Sequence, residues 1–92
     1  MIGEKRSSLE ILYEIMRLAS QGQRKTRIMY GANLSYDMLN KYLDFLRLKG
    51  FVALDEETGK FSVTKEGHEF MRDLERVTRH LRVEDDSVVL FK

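Results

Sequence analysis

The segment from Lys25 to Gly50 constrains this chain most, because it holds two helical patterns separated by only a few residues. The first pattern has Thr26 as its cap and runs through Ile28 and Met29 to about Ala32. Gly31-Ala32-Asn33-Leu34 then forms a turn, and Ser35 is placed to cap a longer helix that ends at Lys49-Gly50. Over residues 35–49, Met38, Leu39, Tyr42, Leu43, Phe45 and Leu46 share one face, and Tyr36, Asp37, Asn40, Lys41, Asp44 and Arg47 share the other. Only Leu48 spoils the division. Two helices joined by so short a turn must cross steeply, which is the helix-turn-helix arrangement.

With no proline in the chain, the other breaks are read from glycines and capping residues. Ser7-Ser8-Leu9-Glu10 has the spacing of a capping box, and the helix it opens is expected to reach about Ser20. Apolar residues cover well over half of its circumference, which predicts a central helix or one shared with a second subunit. Beyond Gly50, Phe51–Asp55 and Lys60–Val63 read as two strands about Glu56-Glu57-Thr58-Gly59, with Gly59 supplying the positive φ of a tight loop. Thr64 caps a last helix from Lys65 to about Arg82, in which Phe70, Leu74, Val77 and Leu81 have the 4-3-4 spacing of a coiled-coil seam. The tail, residues 83–92, is acidic at Glu84-Asp85-Asp86 and apolar from Val88 to Phe91. One α+β, mainly α, domain over residues 1–92 is expected: a three-helix core, a two-stranded wing and a C-terminal helix over 65–82.

Composition narrows the function classes. The 92 residues are 42% hydrophobic, enough for one core, and contain no cysteine, which removes thiol nucleophiles, zinc-thiolate sites and disulfides together. His68 and His80 are too far apart on one helix to share a metal, and neither a Ser/His/Asp set nor a glycine-rich phosphate loop is present. The pattern predicts no enzyme, no metal, no cofactor and no small-molecule ligand. No apolar run is long enough to span a bilayer, so no membrane partner is expected and a cytoplasmic, nucleoid-associated protein is. The net charge is only +1, but residues 1–50 hold nine Lys/Arg against five Asp/Glu, whereas residues 51–92 hold seven against ten. A basic front half suits phosphate, and an acidic back half suits solvent or a partner.

Four segments carry a resemblance to a known family. They are Leu9-Glu10-Ile11-Leu12-Tyr13, Lys25 through Tyr36 followed by Leu39 to Gly50, and Phe61-Ser62-Val63-Thr64-Lys65-Glu66-Gly67-His68-Glu69-Phe70. The last looks like the strand-to-helix signature Leu-Thr-x-x-Gly-x-x-Phe, with Val63 in place of the leucine. Over roughly residues 7 to 80 the chain resembles the archaeal winged helix-turn-helix regulators, which include small dimeric DNA-binding chromosomal proteins. The resemblance implies a homodimer bound to double-stranded DNA with the third helix in the major groove. In that family the last helix commonly lengthens into a dimerising coiled coil, and here Phe70, Leu74, Val77 and Leu81 are the candidates for it.

A recognition helix inserts its N-terminal turns, which selects Ser35, Tyr36, Asn40 and Lys41 for base edges and nearby phosphates. Asn40 has the amide for bidentate pairing with adenine. Lys25, Thr26 and Arg27 open the second helix, where free N–H groups and the helix dipole favour phosphate, and Lys25 and Arg27 are the expected clamps. Lys60 is the sole basic residue of a wing whose Glu56 and Glu57 repel DNA. Tyr30 could stack or hydrogen-bond near the sugar-phosphate chain, but an aromatic residue beside Ile28 and Met29 is more often core. The competing function is a winged-helix adaptor that binds protein through the acidic wing and the Val88–Phe91 tail.

Overall fold

The first and third helices start, and the second and third stop, where backbone groups that lack helical partners find substitutes. A computed structural model describes the backbone of residues 6–83 and the side chains of residues 6–77, 79 and 80. Helix α1 spans Ser8–Ala19. Its capping box is complete, with the Glu10 amide donating to Ser7 Oγ at 3.1 Å and the Ser7 amide donating to Glu10 Oε1 at 3.1 Å. Helix α2 spans Lys25–Ala32 and helix α3 spans Tyr36–Leu48. The turn between them closes α2 with Asn33 in the left-handed region at φ 57°. The Asn33 amide donates to the Tyr30 carbonyl at 3.2 Å and the Leu34 amide to the Met29 carbonyl at 3.1 Å, a Schellman closure. Ser35 then starts α3 by accepting from the Met38 amide at 3.1 Å. The same closure recurs at the end of α3, where Gly50 is left-handed and the Phe51 amide reaches the Leu46 carbonyl at 2.9 Å.

Thr26 is not the cap of α2. A two-residue strand, β1 (Gln23–Arg24), leads straight into the helix, so Arg24 occupies the cap position and makes no side-chain capping bond. Strand pairing therefore sets the start of α2, and Thr26 sits inside its first turn. The two wing strands are β2 (Val52–Asp55) and β3 (Lys60–Val63). With β1 they form an antiparallel sheet in the order β1-β3-β2, one strand more than the sequence predicts. The register pairs Gln23 with Phe61 and Arg24 with Lys60 on one side of β3, and Leu54 with Phe61 and Asp55 with Lys60 on the other. Gly59 takes the expected positive φ, 75°.

The core lies between α1, α2, α3 and the inner face of the sheet. Ile15, Met16, Ile28, Leu39, Leu43 and Leu46 are its largest fully buried side chains, joined by Val52 and Phe61 from the strands. Leu39, Leu43 and Leu46 make the buried stripe of α3, while Met38 and Phe45 flank it and remain partly open to solvent. Tyr30, expected in the core, is 73% exposed, because α2 turns inward only Ile28 and Ala32.

Helix α4, Lys65–Val83, is tied to the end of α3 at its first turn. Thr64 Oγ1 donates to the Gly50 carbonyl at 2.6 Å and accepts from the Gly67 amide at 3.0 Å. Gly67 is pressed against the backbone, and a Cβ there would overlap the Phe51 carbonyl oxygen. Phe70 stacks on Phe51 with ring centroids 4.3 Å apart, and Leu74 is 3% exposed in the common core. Phe70 and Leu74 of the expected seam are thus engaged within the chain's own core, whereas Val77 is 42% exposed. The Leu81 side chain and the tail beyond Val83 lie outside the described residues. Tyr13 of α1 donates to Glu75 Oε2 at 2.7 Å, and this bond to a carboxylate, aided by burial, raises the tyrosine above its ordinary pKa.

Candidate nucleic-acid interface

The face of α3 turned away from the core is built from its first turns. Tyr36 is 58% exposed, and Asp37, Lys41, Asp44 and Arg47 are also exposed, while Asn40 is half-buried. Asp37 lies in the first turn, where the helix dipole favours a negative charge, which gives it a part in forming the helix itself. Ser35 Oγ accepts the capping bond from Met38, which leaves its own O–H and one lone pair for a ligand.

The crossing of α2 and α3 brings Lys25 onto this face. Its ammonium donates to Asn40 Oδ1 at 2.7 Å and stands 5.1 Å from the centre of the Tyr36 ring. Three of the residues singled out in the sequence therefore form one cluster across the turn. This bond orients the Asn40 amide. A lysine ammonium only donates, so the asparagine presents its oxygen to it, and the side chain keeps its NH₂ donors and the second lone pair of that oxygen. Bidentate pairing with adenine needs both halves of the amide. As held by Lys25, Asn40 still has both.

Arg27 and Thr26 project from the first turn of α2 and are exposed, as is Lys60 on the wing. Sequence reasoning missed a neighbour of Lys60. Because β1 pairs with β3, Arg24 stands directly across from Lys60 on the outer face of the sheet, with Asp55 across from Lys60 on the other strand. Like charges opposite one another cost stability in an antiparallel pair, so Arg24 and Lys60 make a local positive site that Asp55 only partly offsets. No periodicity signals a strand of two residues. Among the described residues, Arg24, Arg27, Lys41, Arg47 and Lys60 make no ion pair; the pairs present join Arg17 to Glu14 at 2.5 Å and Arg76 to Asp73 at 2.7 Å, each within one helix. Basic groups are thus left available at the loop end of the hairpin, at the start of α2 and on the outer face of α3. No group of acidic or histidine side chains capable of holding a metal occurs among the described residues.

Residues 5–82 match the winged helix-turn-helix family. The chain belongs to that family. Within it, this winged helix-turn-helix protein is similar to an uncharacterised protein of Methanocaldococcus jannaschii, at 41% identity over 71 residues that span 76% of this chain and 71% of the relative. A second uncharacterised protein of that organism is 29% identical over 76 residues, 82% of this chain but only 35% of the relative. Among solved structures, Sso10a-2, described as a DNA-binding protein from Sulfolobus solfataricus, superposes with a TM-score of 0.75 at 25% identity, over 94% of this chain and 96% of that one. The expected fold class, a winged helix-turn-helix that is mainly helical, is the one found. No helix among the described residues is long and apolar enough to cross a membrane.

Proposed function

We propose that this winged helix-turn-helix protein binds double-stranded DNA as a homodimer, with the first turns of α3 in the major groove, and serves as a cytoplasmic, nucleoid-associated transcriptional regulator or architectural protein. The observation that carries the reading is the gathering of Lys25, Tyr36 and Asn40 on the exposed side of α3, flanked by the unpaired cations Arg27 and Lys41. The likeness to a structure described as a DNA-binding protein supports it. Lys25, Thr26, Arg27 and Lys41 contact phosphates, Ser35, Tyr36 and Asn40 approach base edges, and Lys60 supports the wing. None of these roles needs a cofactor.

Salt titration tests the reading. Each phosphate neutralised adds about −0.9 to the slope of log affinity against log salt on duplex DNA, so a steep linear loss is expected. Absent or salt-independent binding to a mixed-sequence duplex at low salt would refute it. The adaptor reading draws on Leu48, an α3 side chain that is 84% exposed, and on the acidic wing. That reading predicts no salt-dependent DNA binding.

The dimer is proposed to form through the outer half of α4, where the seam continues from Val77 to Leu81 after Phe70 and Leu74 have entered the protomer core. Val77→Glu places a charge on that stripe, and light scattering at micromolar concentration is expected to report a monomer for this variant and a dimer for the parent.

A further inference from the structure

We infer that Arg24 and Lys60 act together as a two-cation clamp for a single phosphate of the DNA backbone, on the outer face of the sheet. This rests on the DNA-binding reading above and adds to it a contact site off the recognition helix.

Arg24 on β1 and Lys60 on β3 are Cα partners, and both are exposed. Residues directly opposite in an antiparallel pair point to one face with Cβ atoms about 4.5–5.5 Å apart, so two positive side chains rise side by side. The Lys60 stem lies over β1, with its Cδ 3.9 Å from where a Cβ on Gly22 would stand. Asp55, the partner of Lys60 on β2, is engaged in the hairpin loop, where its Oδ1 accepts from the Glu57 amide at 2.9 Å. Among the described residues neither cation makes an ion pair. Arg24 is also the cap residue of α2, whose first turn holds no acidic side chain. The dipole of a helix disfavours a cation at that end. Its strand partner and the helix that follows thus both oppose the charge of Arg24 in the free protein, and an anion seated between Arg24 and Lys60 relieves both repulsions. A DNA phosphodiester suits the pair, since its two free oxygens can meet the planar fork of the guanidinium and the compact charge of the ammonium. Lys25, next in the chain, reaches Asn40 on α3, so the clamp adjoins the face proposed to enter the groove.

Arg24→Gln, Lys60→Gln and the double variant test this in the full chain, by salt titration of binding to a mixed-sequence duplex and by thermal unfolding without DNA. Both positions are exposed, so each variant can fold. A phosphate held by two cations is lost once: the salt slope is expected to shrink by about 0.9 in each single variant and by no more in the double. Without DNA, Arg24→Gln at low salt is expected to unfold a few degrees above the parent, and the difference to vanish at high salt, where like charges are screened. A slope that shrinks by about 1.8 in the double variant would overturn the clamp in favour of two separate phosphates, and unchanged slopes would overturn the contact altogether. A lower Tm for Arg24→Gln at low salt would also overturn the inference, by making Arg24 a structural part of the sheet. Failure of the parent to bind any duplex is a different result, since it sinks the DNA-binding reading and this site with it.

Discussion

Replacing Gly67 with alanine sets two effects of opposite sign against each other. Alanine within a helix is worth about 1 kcal/mol over glycine, so local propensity predicts a more stable α4. Tertiary contact predicts the reverse. A Cβ at Gly67 would overlap the Phe51 carbonyl oxygen and stand 2.7 Å from Val63 Cγ1. The Phe51 carbonyl cannot withdraw cheaply, because it accepts from the Thr64 amide at 3.0 Å while the Phe51 amide is bonded to Leu46 at 2.9 Å. Helix α4 must move outward instead. That loosens the Phe51–Phe70 stack, worth about 0.5–1.5 kcal/mol, and uncovers part of Leu74, whose full burial is worth about 1.5–3 kcal/mol. With strain of about 1–3 kcal/mol where relaxation is incomplete, and the helical gain set against the sum, a net loss of about 2–3 kcal/mol is expected. In a domain of this size that lowers Tm by about 10–20 °C. Thermal unfolding followed by circular dichroism reads the shift. Gly31→Ala is the matched control, since the added methyl meets only the tip of the flexible Leu18 side chain, at 2.9 and 3.0 Å. Its Tm should stay within a few degrees of the parent. A Gly67→Ala protein as stable as the parent, or more so, would refute the claim that α4 docks by close backbone approach.

Asn33 is the one non-glycine residue with positive φ among the described residues. Asn33→Ala is expected to cost about 1–2 kcal/mol and Asn33→Gly little or nothing, as read by chemical denaturation. If the outer face of the sheet meets a phosphate, Arg24→Ala should reduce the salt slope of DNA binding by about 0.9, whereas Arg76→Ala on α4 should leave it unchanged. Tyr13, raised above its usual pKa of 10.0 by its bond to Glu75, stabilises the fold in its protonated form. Because the folded pKa is the higher one, this contribution is whole below pH 10.0 and is lost as pH rises through the folded value. Tyr13→Phe should therefore flatten the alkaline fall in stability, measured as Tm against pH.

Local signals carried most of the fold. The Ser7 and Ser35 caps, the Asn33 turn, the Gly50 closure, the Gly59 loop and the Thr64 cap each depend on residues a few positions apart, and each lies where the sequence places it. The buried stripe of α3 was legible for the same reason, because helical periodicity sorts side chains before any partner is known. Tertiary packing decided what lies between distant segments. Strand β1 is too short to have a period and exists because β3 offers it hydrogen bonds, and those bonds moved the start of α2 and set Arg24 beside Lys60. Spacing along α4 could not tell whether Phe70 and Leu74 face a second subunit or their own core, since an apolar stripe looks alike in both settings, and α1 with Phe51 took them. At the candidate interface the sequence by itself named Lys25, Tyr36 and Asn40, but as separate contacts. Only the crossing of α2 over α3 joined them, because Lys25 and Asn40 are fifteen residues apart and no helical spacing relates them.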